Sequence, residues 1–290
     1  MRSLLFVPAD SERKLARGLE SGADALILDL EDSVAAANRP LARRQARAFL
    51  EAHGPVDQGG RIRRYVRINP LGSGLALDDL AATVAGRPDG ILVPKSLPED
   101  VRTADHYLSA FEAAAGAPVG AIRIIAIATE TAEAVFALGG YKGVSPRLEA
   151  VTWGAEDLSA DIGGSNRTLA GDYDGPYKLA RSLCLLAAAA ARVIAIDTIY
   201  TDFRDEAGLK AECAAARRSG FAAKMAIHPA QLAAINETFA VSAAEREWAE
   251  RVVAAFAAQP EAGTLALDGK MIDKPHLVLA RRLLGVPEPA

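Results

Sequence analysis

The sequence predicts a (β/α)8 barrel followed by a C-terminal helical extension. Eight short runs rich in aliphatic and β-branched residues alternate with longer amphipathic segments over roughly the first 240 of 290 residues, the length and rhythm of eight strand–helix units. Polar side chains cluster at or just after the C-terminal ends of those runs, the face on which such barrels carry their chemistry. The nucleotide fingerprint of a doubly wound sheet is missing, because Gly72 and Gly74 follow a strand without a third glycine or an opening helix.

The expected strands are Leu4–Val7, Ala25–Leu30, Tyr65–Ile68, Gly90–Val93, Arg123–Ala128, Ala150–Trp153, Val193–Ile196 and Phe221–Ile227. Helical patterns fill the intervals at Ser11–Ser21, Pro40–Ala52, Leu77–Ala85, Pro98–Ala115, Thr131–Leu138, Gly175–Ala191 and Glu206–Ser219, and Pro229–Phe239 follows the last strand. Residues 163–175, GGSNRTLAGDYDG, form a long irregular stretch after strand six. We place the barrel at residues 1–240 and the extension at 241–290. Within the extension, Ser242–Ala258 reads as a helix opened by a capping box, with Ser242 at the N-cap and Glu245 three residues on. The connection QPEAGTLALDGKMID and a terminal helix from Pro275 to Leu284 complete it. GTLALDGKM is no phosphate loop: its spacing is one residue too long, and Met271 stands where Ser or Thr should bind magnesium.

Strand two, ALILDLED, carries Asp29, Glu31 and Asp32 at its end, and an unpaired buried carboxylate is costly. Alternation sends Leu26, Leu28 and Leu30 toward the helices and Ile27, Asp29 and Glu31 inward. In strand three it sends Tyr65, Arg67 and Asn69 inward. Lys95 shares its parity with Val93, Glu130 with Ile124, Ala126 and Ala128, and His228 with Lys224, while Asp157 falls just past strand six. Polar groups therefore gather at the ends of strands two to six, with Lys224 and His228 on strand eight. Arg67 and Lys95 offset only part of the charge of Glu31, Asp32, Glu130, Glu156 and Asp157, so a divalent cation such as Mg²⁺, which takes a few oxygens and keeps open positions, is the expected partner. Plainer roles exist: Glu156, Asp32 and Glu130 could cap the following helices, and Asp273 the helix that begins near Pro275, Lys95 could form a structural ion pair, and His228 could bond at a strand end. His53, His106 and His276 stand alone and read as surface or packing residues.

Composition narrows the function. A net charge of −4 with scattered basic residues argues against a nucleic-acid partner. The two cysteines, Cys184 and Cys213, lie in Ala-rich helical patterns without zinc spacing, as in a reducing compartment. The longest apolar stretch, LCLLAAAAA, is about half a membrane span, and the N-terminus lacks a signal peptide pattern; the expectation is a cytoplasmic protein with no membrane partner.

Seven motifs in order, RSLLFVPAD, DALILDLEDSV, YVRINPLGSG, GILVPKS, IATETAEAV, TWGAEDLSADIG and GFAAKMAIHPAQ, resemble the citrate lyase beta-subunit-like proteins of the HpcH/HpaI aldolase superfamily, which include malyl-CoA and citramalyl-CoA lyases. The resemblance runs from residue 2 to about 285. It implies a Mg²⁺-dependent barrel that makes or breaks a carbon–carbon bond beside a coenzyme A thioester. By motif, it implies Glu130 and Asp157 as metal ligands, Arg67 as the contact to substrate and developing enolate, and Glu31 and Asp32 as supports for metal-bound water or for Arg67. Gly154, Ala155 and Glu156 of GAED would lie against the substrate. KMIDKP resembles a segment that supplies a catalytic carboxylate, here Asp273, to a neighbouring subunit, which implies a homo-oligomer, in many relatives a trimer. Ala9 stands where relatives commonly have Gly in a loop near coenzyme A. The resemblance implies a lyase yielding acetyl-CoA and a 2-oxo acid such as glyoxylate or pyruvate. The alternatives are a citrate lyase subunit acting on a carrier-bound acyl group and a non-catalytic acyl-CoA-binding barrel.

Overall fold

A computed structural model describes residues 1–54 and 62–286, so the last four positions of the extension lie outside the described residues. The chain divides into one unit spanning Met1–Phe239 and a second beginning at Ala240.

The first unit is a closed parallel barrel of eight strands in sequential order: β1 (Ser3–Pro8), β2 (Ala25–Asp29), β3 (Arg63–Arg67), β4 (Gly90–Val93), β5 (Arg123–Ile127), β6 (Leu148–Thr152), β7 (Ile194–Asp197) and β8 (Ala223–Ala226). Pairing of β8 with β1 closes the ring. Around it run α1 (Glu12–Leu19), α2 (Arg39–His53), α3 (Ala76–Thr83), α4 (Pro98–Ala114), α5 (Ala132–Ala137), α6 (Ala155–Ile162), α7 (Gly175–Ala191), α8 (Glu206–Ser219) and α9 (Leu232–Phe239).

Strand alternation builds two apolar layers. Leu26, Leu28, Leu30, Val66 and Ile68 pack outward with helix residues such as Leu50 and Leu80, all almost fully buried. Each such side chain contributes about 1.5–3 kcal/mol of transfer free energy. Ile27, Tyr65, Leu92, Ile125, Ile196 and Met225 fill the barrel interior. The expected parity of strands two and three thus holds. Helix starts follow the sequence: Ser11, Asp174 and Asp205 cap α1, α7 and α8 with side-chain oxygens. The expectation missed α6, whose first turn carries Glu156 and Asp157, acids that favour a helix N-terminus.

The second unit holds α10 (Ala243–Ala258), β9 (Thr264–Leu267), β10 (Lys270–Asp273) and α11 (Lys274–Leu284). The capping box is present: Ser242 Oγ accepts from the Glu245 amide, and Glu245 Oε2 accepts from the Ser242 amide at 2.8 Å. The connection expected between its helices is instead a β-hairpin, with Asp268 and Gly269 at φ 50° and 71° in its turn, the left-handed pair that Asp-Gly favours. A small core of Val252, Phe256, Ile272 and Ala280 holds the unit together.

Candidate active site

Parallel register sets Asp29 at the end of β2 directly beside Arg67 at the end of β3. Arg67 Nε and Nη2 donate to the two Asp29 oxygens at 2.7 and 2.6 Å, a planar fork closing on a carboxylate. Burial pushes the Asp29 carboxyl up, but Arg67, the Ser33 side chain and the Glu31 amide bring it below the usual range, and the Ser33 amide also donates to it at 3.2 Å. Arg67 Nη1 lies 2.9 Å from Glu31 Oε2 and 3.7 Å from Asp32 Oδ2. Glu31 is buried, whereas the Asp32 side chain is 58 % exposed. Burial foremost holds the Glu31 carboxyl above its ordinary value, against Arg67 and Lys95.

Lys95 reaches the same cluster by an unexpected route. Val93 packs in the outer layer, and strict alternation would send Lys95 after it. The strand ends at Val93, however, and Lys95 takes φ 47°, a left-handed conformation uncommon for a residue with a Cβ. Its Nζ then lies 2.9 Å from Glu31 Oε1, 3.0 Å from Asp157 Oδ1 and 4.0 Å from Asp32. Its backbone amide donates to Glu130 Oε2 at 2.5 Å.

Glu130 corrects the parity argument in the same way. Ile124, Ala126 and Ala128 face the helices, but β5 ends at Ile127 and the turn after it carries Glu130 into the mouth. There Glu130 is buried, and burial, with the neighbouring Asp157 charge, pushes its carboxyl up to about 8. Gly154 makes room for it: a Cβ at that position would sit 2.6 Å from Glu130 Cγ. Asp157 projects from the first turn of α6, its side chain 32 % exposed. Glu156, also in that turn, accepts from Asn166 Nδ2 at 2.8 Å, tying the irregular stretch to α6.

Asp29, Asp32, Arg67, Glu130, Gly154, Ala155, Glu156 and Asp157 border one cavity of about 410 Å³, whose apolar walls include Phe6, Ile127, Trp153 and Met225. Among the described residues no three His, Cys, Asp or Glu side chains are grouped to cage a metal. A buried carboxylate and a half-exposed one on a shared cavity suit instead a hard cation that keeps waters and takes further oxygens from a substrate.

Two strand-eight residues lie elsewhere. Lys224 does not reach the mouth: alternation puts Ala223 and Met225 inside the barrel, so Lys224 points the other way and is fully buried, 2.9 Å from Asp197 on β7 and 2.8 Å from Glu212 on α8. His228 caps the short helical turn at 229–231 and stacks on Phe203 at 4.6 Å. Asp273 ends β10, and His276 Nδ1 lies 2.5 Å from its Oδ1, holding the carboxyl below its usual value. His276 is therefore paired, not isolated. Asp29, read from sequence only as one of three acidic residues, is the side chain that fixes Arg67, and its inward parity beside an inward Arg was the available signal.

An acidic mouth on a closed (β/α)8 barrel, bordering a cavity, defines the class of barrel enzymes whose chemistry sits at the strand C-termini. Comparison with known proteins narrows the class. The HpcH/HpaI aldolase/citrate lyase family model matches residues 2–229, and a model for carbon–carbon bond lyases of the TIM-barrel fold matches 177–286. The chain is 36% identical to a (3S)-malyl-CoA thioesterase of Cereibacter sphaeroides over 99% of its length and 94% of the relative's. It is 34% identical to a citrate lyase subunit beta-like protein of Mycobacterium tuberculosis, covering 97% and 93%. The crystal structure of CitE from Mycobacterium tuberculosis with magnesium, acetoacetate and coenzyme A superposes with a TM-score of 0.75 at 32% identity, covering 98% of this chain and 97% of that one. The chain belongs to the HpcH/HpaI aldolase/citrate lyase family, and it is a carbon–carbon lyase.

Proposed function

We propose that this enzyme cleaves, or forms, a short 3-hydroxyacyl-CoA such as malyl-CoA or citramalyl-CoA, giving acetyl-CoA and a 2-oxo acid, with Mg²⁺ as cofactor. The observation that carries the reading is the pairing of Glu130 and Asp157 on the cavity that also meets Arg67. These two carboxylates would hold Mg²⁺, which supplies Lewis acidity and a template for the substrate's hydroxyl and carboxylate. Glu31 and Asp32 support that site and orient Arg67, while Gly154, Ala155 and Glu156 line the substrate's approach.

The chain's own residues account for the remaining demands. Loss of the hydroxyl proton and rupture of the carbon–carbon bond leave negative charge on the thioester oxygen of the acetyl-CoA enolate. Arg67, held charged by Asp29, Glu31 and Asp32 despite its burial, offers a fixed positive group there without reorganisation. The apolar walls at Phe6 and Trp153 limit water around the enolate. The hydroxyl proton passes to a carboxylate that then returns it to the enolate carbon, an acid–base role we assign to Asp273 of a neighbouring copy in a homo-oligomer, which we take to be a trimer; His276 keeps that carboxyl below its usual value and so ready to accept. No helix among the described residues is long and apolar enough to cross a membrane; the two free, buried cysteines suit a reducing compartment, and we place the enzyme in the cytoplasm.

A second reading, hydrolysis of the malyl-CoA thioester, is favoured by the named activity of the Cereibacter sphaeroides relative. One assay separates the two. The purified protein is given malyl-CoA with Mg²⁺ or EDTA, and the condensation of acetyl-CoA or propionyl-CoA with a panel of 2-oxo acids is run in parallel. Mg²⁺-dependent glyoxylate release and condensation support the lyase; free thiol without glyoxylate supports the thioesterase. Turnover only with carrier-protein thioesters would assign the chain to a citrate lyase complex, and Mg²⁺-dependent binding without any turnover would leave an acyl-CoA-binding barrel.

A further inference from the structure

Lys95 is the residue that touches both proposed metal ligands, and it does so from opposite ends. Its backbone amide bonds Glu130 Oε2 at 2.5 Å, and its ammonium lies 3.0 Å from Asp157 Oδ1. The two contacts coexist because the backbone at Lys95 is left-handed, φ 47°. A residue with a Cβ keeps that conformation where its surroundings over-determine it, and such positions concentrate at functional sites. The ammonium also holds Glu31 at 2.9 Å, and its side chain is 32 % exposed, so it can move without opening the core.

We infer that Lys95 is a built-in counter-cation: it neutralises the Asp157 and Glu31 carboxylates in the metal-free protein, competes with Mg²⁺ for Asp157, and swings away when the metal binds. This inference rests on the proposed metal site and adds a positioning residue to it. The amide contact keeps Glu130 in place in both states, while the ammonium gives up Asp157. Lys95 thereby sets how much Mg²⁺ the site requires and prevents collapse of the acidic mouth without it.

A static structural ion pair makes different predictions. Were Lys95 only that, replacing it would cost the same stability with and without metal and would leave Mg²⁺ affinity unchanged or weaker. A competing cation predicts the reverse. In Lys95→Met, Mg²⁺ should bind on the order of tenfold more tightly, since a unit charge a few ångströms from the metal has gone. The melting temperature should fall in EDTA, and the deficit should shrink in saturating Mg²⁺. Lys95→Arg keeps the charge and should keep the wild-type affinity.

The measurements are titration calorimetry with MgCl₂ and thermal unfolding with EDTA or MgCl₂, on wild type and both variants. Acetylation of Lys95 in the wild type, read by peptide mass spectrometry, is the companion experiment and needs no variant to fold. Faster labelling of Lys95 with Mg²⁺ than with EDTA supports release of the ammonium, and equal labelling overturns it. If the wild type binds Mg²⁺ and folded Lys95→Met binds it no more tightly, the inference about Lys95 fails while the metal site stands. If the wild type binds no Mg²⁺, the proposed function fails and this inference with it.

Discussion

Two charged clusters sit on the same barrel and obey opposite rules. On β7, β8 and α8, Lys224 lies 2.9 Å from Asp197 and 2.8 Å from Glu212. Asp197 also accepts from Trp153 Nε1 at 2.7 Å and Arg181 Nε at 3.0 Å, and Arg167 pairs with Glu212. Each acid there has at least two basic partners, and the central Lys224–Asp197 pair is sealed from water. At the mouth, Asp29, Glu31, Asp32, Glu130 and Asp157 face Arg67 and Lys95, so negative charge remains in surplus. Burial by itself is thus no mark of function. The closed cluster is a structural clamp, and the open one is left incomplete on the side that faces a cavity.

The comparison breaks most sharply if the open cluster can lose a carboxylate without loss of turnover. Asp157→Ala should remove Mg²⁺-dependent activity by about 10³-fold or more, roughly 4 kcal/mol of transition-state stabilisation, with an unchanged circular dichroism spectrum. Full activity of that variant in EDTA would end the metal assignment. The reverse experiment strikes the closed cluster. Lys224→Met leaves Asp197 Oδ2 without its buried partner while Arg181 and Trp153 keep Oδ1, and should lower unfolding free energy by about 1–3 kcal/mol in a urea titration, with kcat of the folded fraction close to wild type.

Arg67→Lys is a subtler probe, because charge is retained and geometry lost. An ammonium cannot span both oxygens of Asp29 as the guanidinium does. A fall in kcat of about 10²-fold, near 2.7 kcal/mol, is expected, and near-normal turnover would show that Arg67 serves only the fold.

Acidity separates the clusters by a smaller margin. Glu130 is pushed up to about 8 in the metal-free protein, so below that pH a proton must leave before the carboxylate can take a cation. Mg²⁺ affinity should therefore rise with pH by up to about tenfold per unit, or 1.4 kcal/mol, and level off above 8. The same raised value means that the metal-free protein loses stability as pH climbs from the ordinary carboxylate range toward 8. The closed cluster adds no such slope: Asp197 is depressed and Lys224 raised, so its contribution fades only in strong acid or strong base. Calorimetric titrations at pH 6, 7, 8 and 9 check the first point, and a flat affinity profile would contradict it.

Reading strands by alternation worked wherever the chain was still a strand. Ile27, Asp29, Tyr65 and Arg67 point where period two sends them, and the barrel follows from eight such runs. It failed two or three residues past the strand ends. Glu130 and Lys95 lie beyond the last paired residue, where a turn, left-handed at Lys95, resets the direction of the side chain. Lys224 shows a different gap: parity only grouped it with His228, and the choice between mouth and outer layer required knowing that Ala223 and Met225 occupy the interior. The hairpin was legible in Asp268-Gly269, yet its strands are only four residues long, and a polar connection accounted for them equally well.

Gly154 deserves its place among these residues for what it forbids. Its φ of −121° suits any amino acid, so no backbone argument reserves the position for glycine. The reservation is one of volume, since a single methyl group would occupy the space of the Glu130 side chain. Saturation mutagenesis at this codon should therefore be nearly all-or-none, with alanine already among the losers although it is the mildest change in the genetic code. That gives a one-atom instrument: Gly154→Ala pushes Glu130 out of position while leaving every acid and base in the chain present, separating the arrangement of the charges from their number.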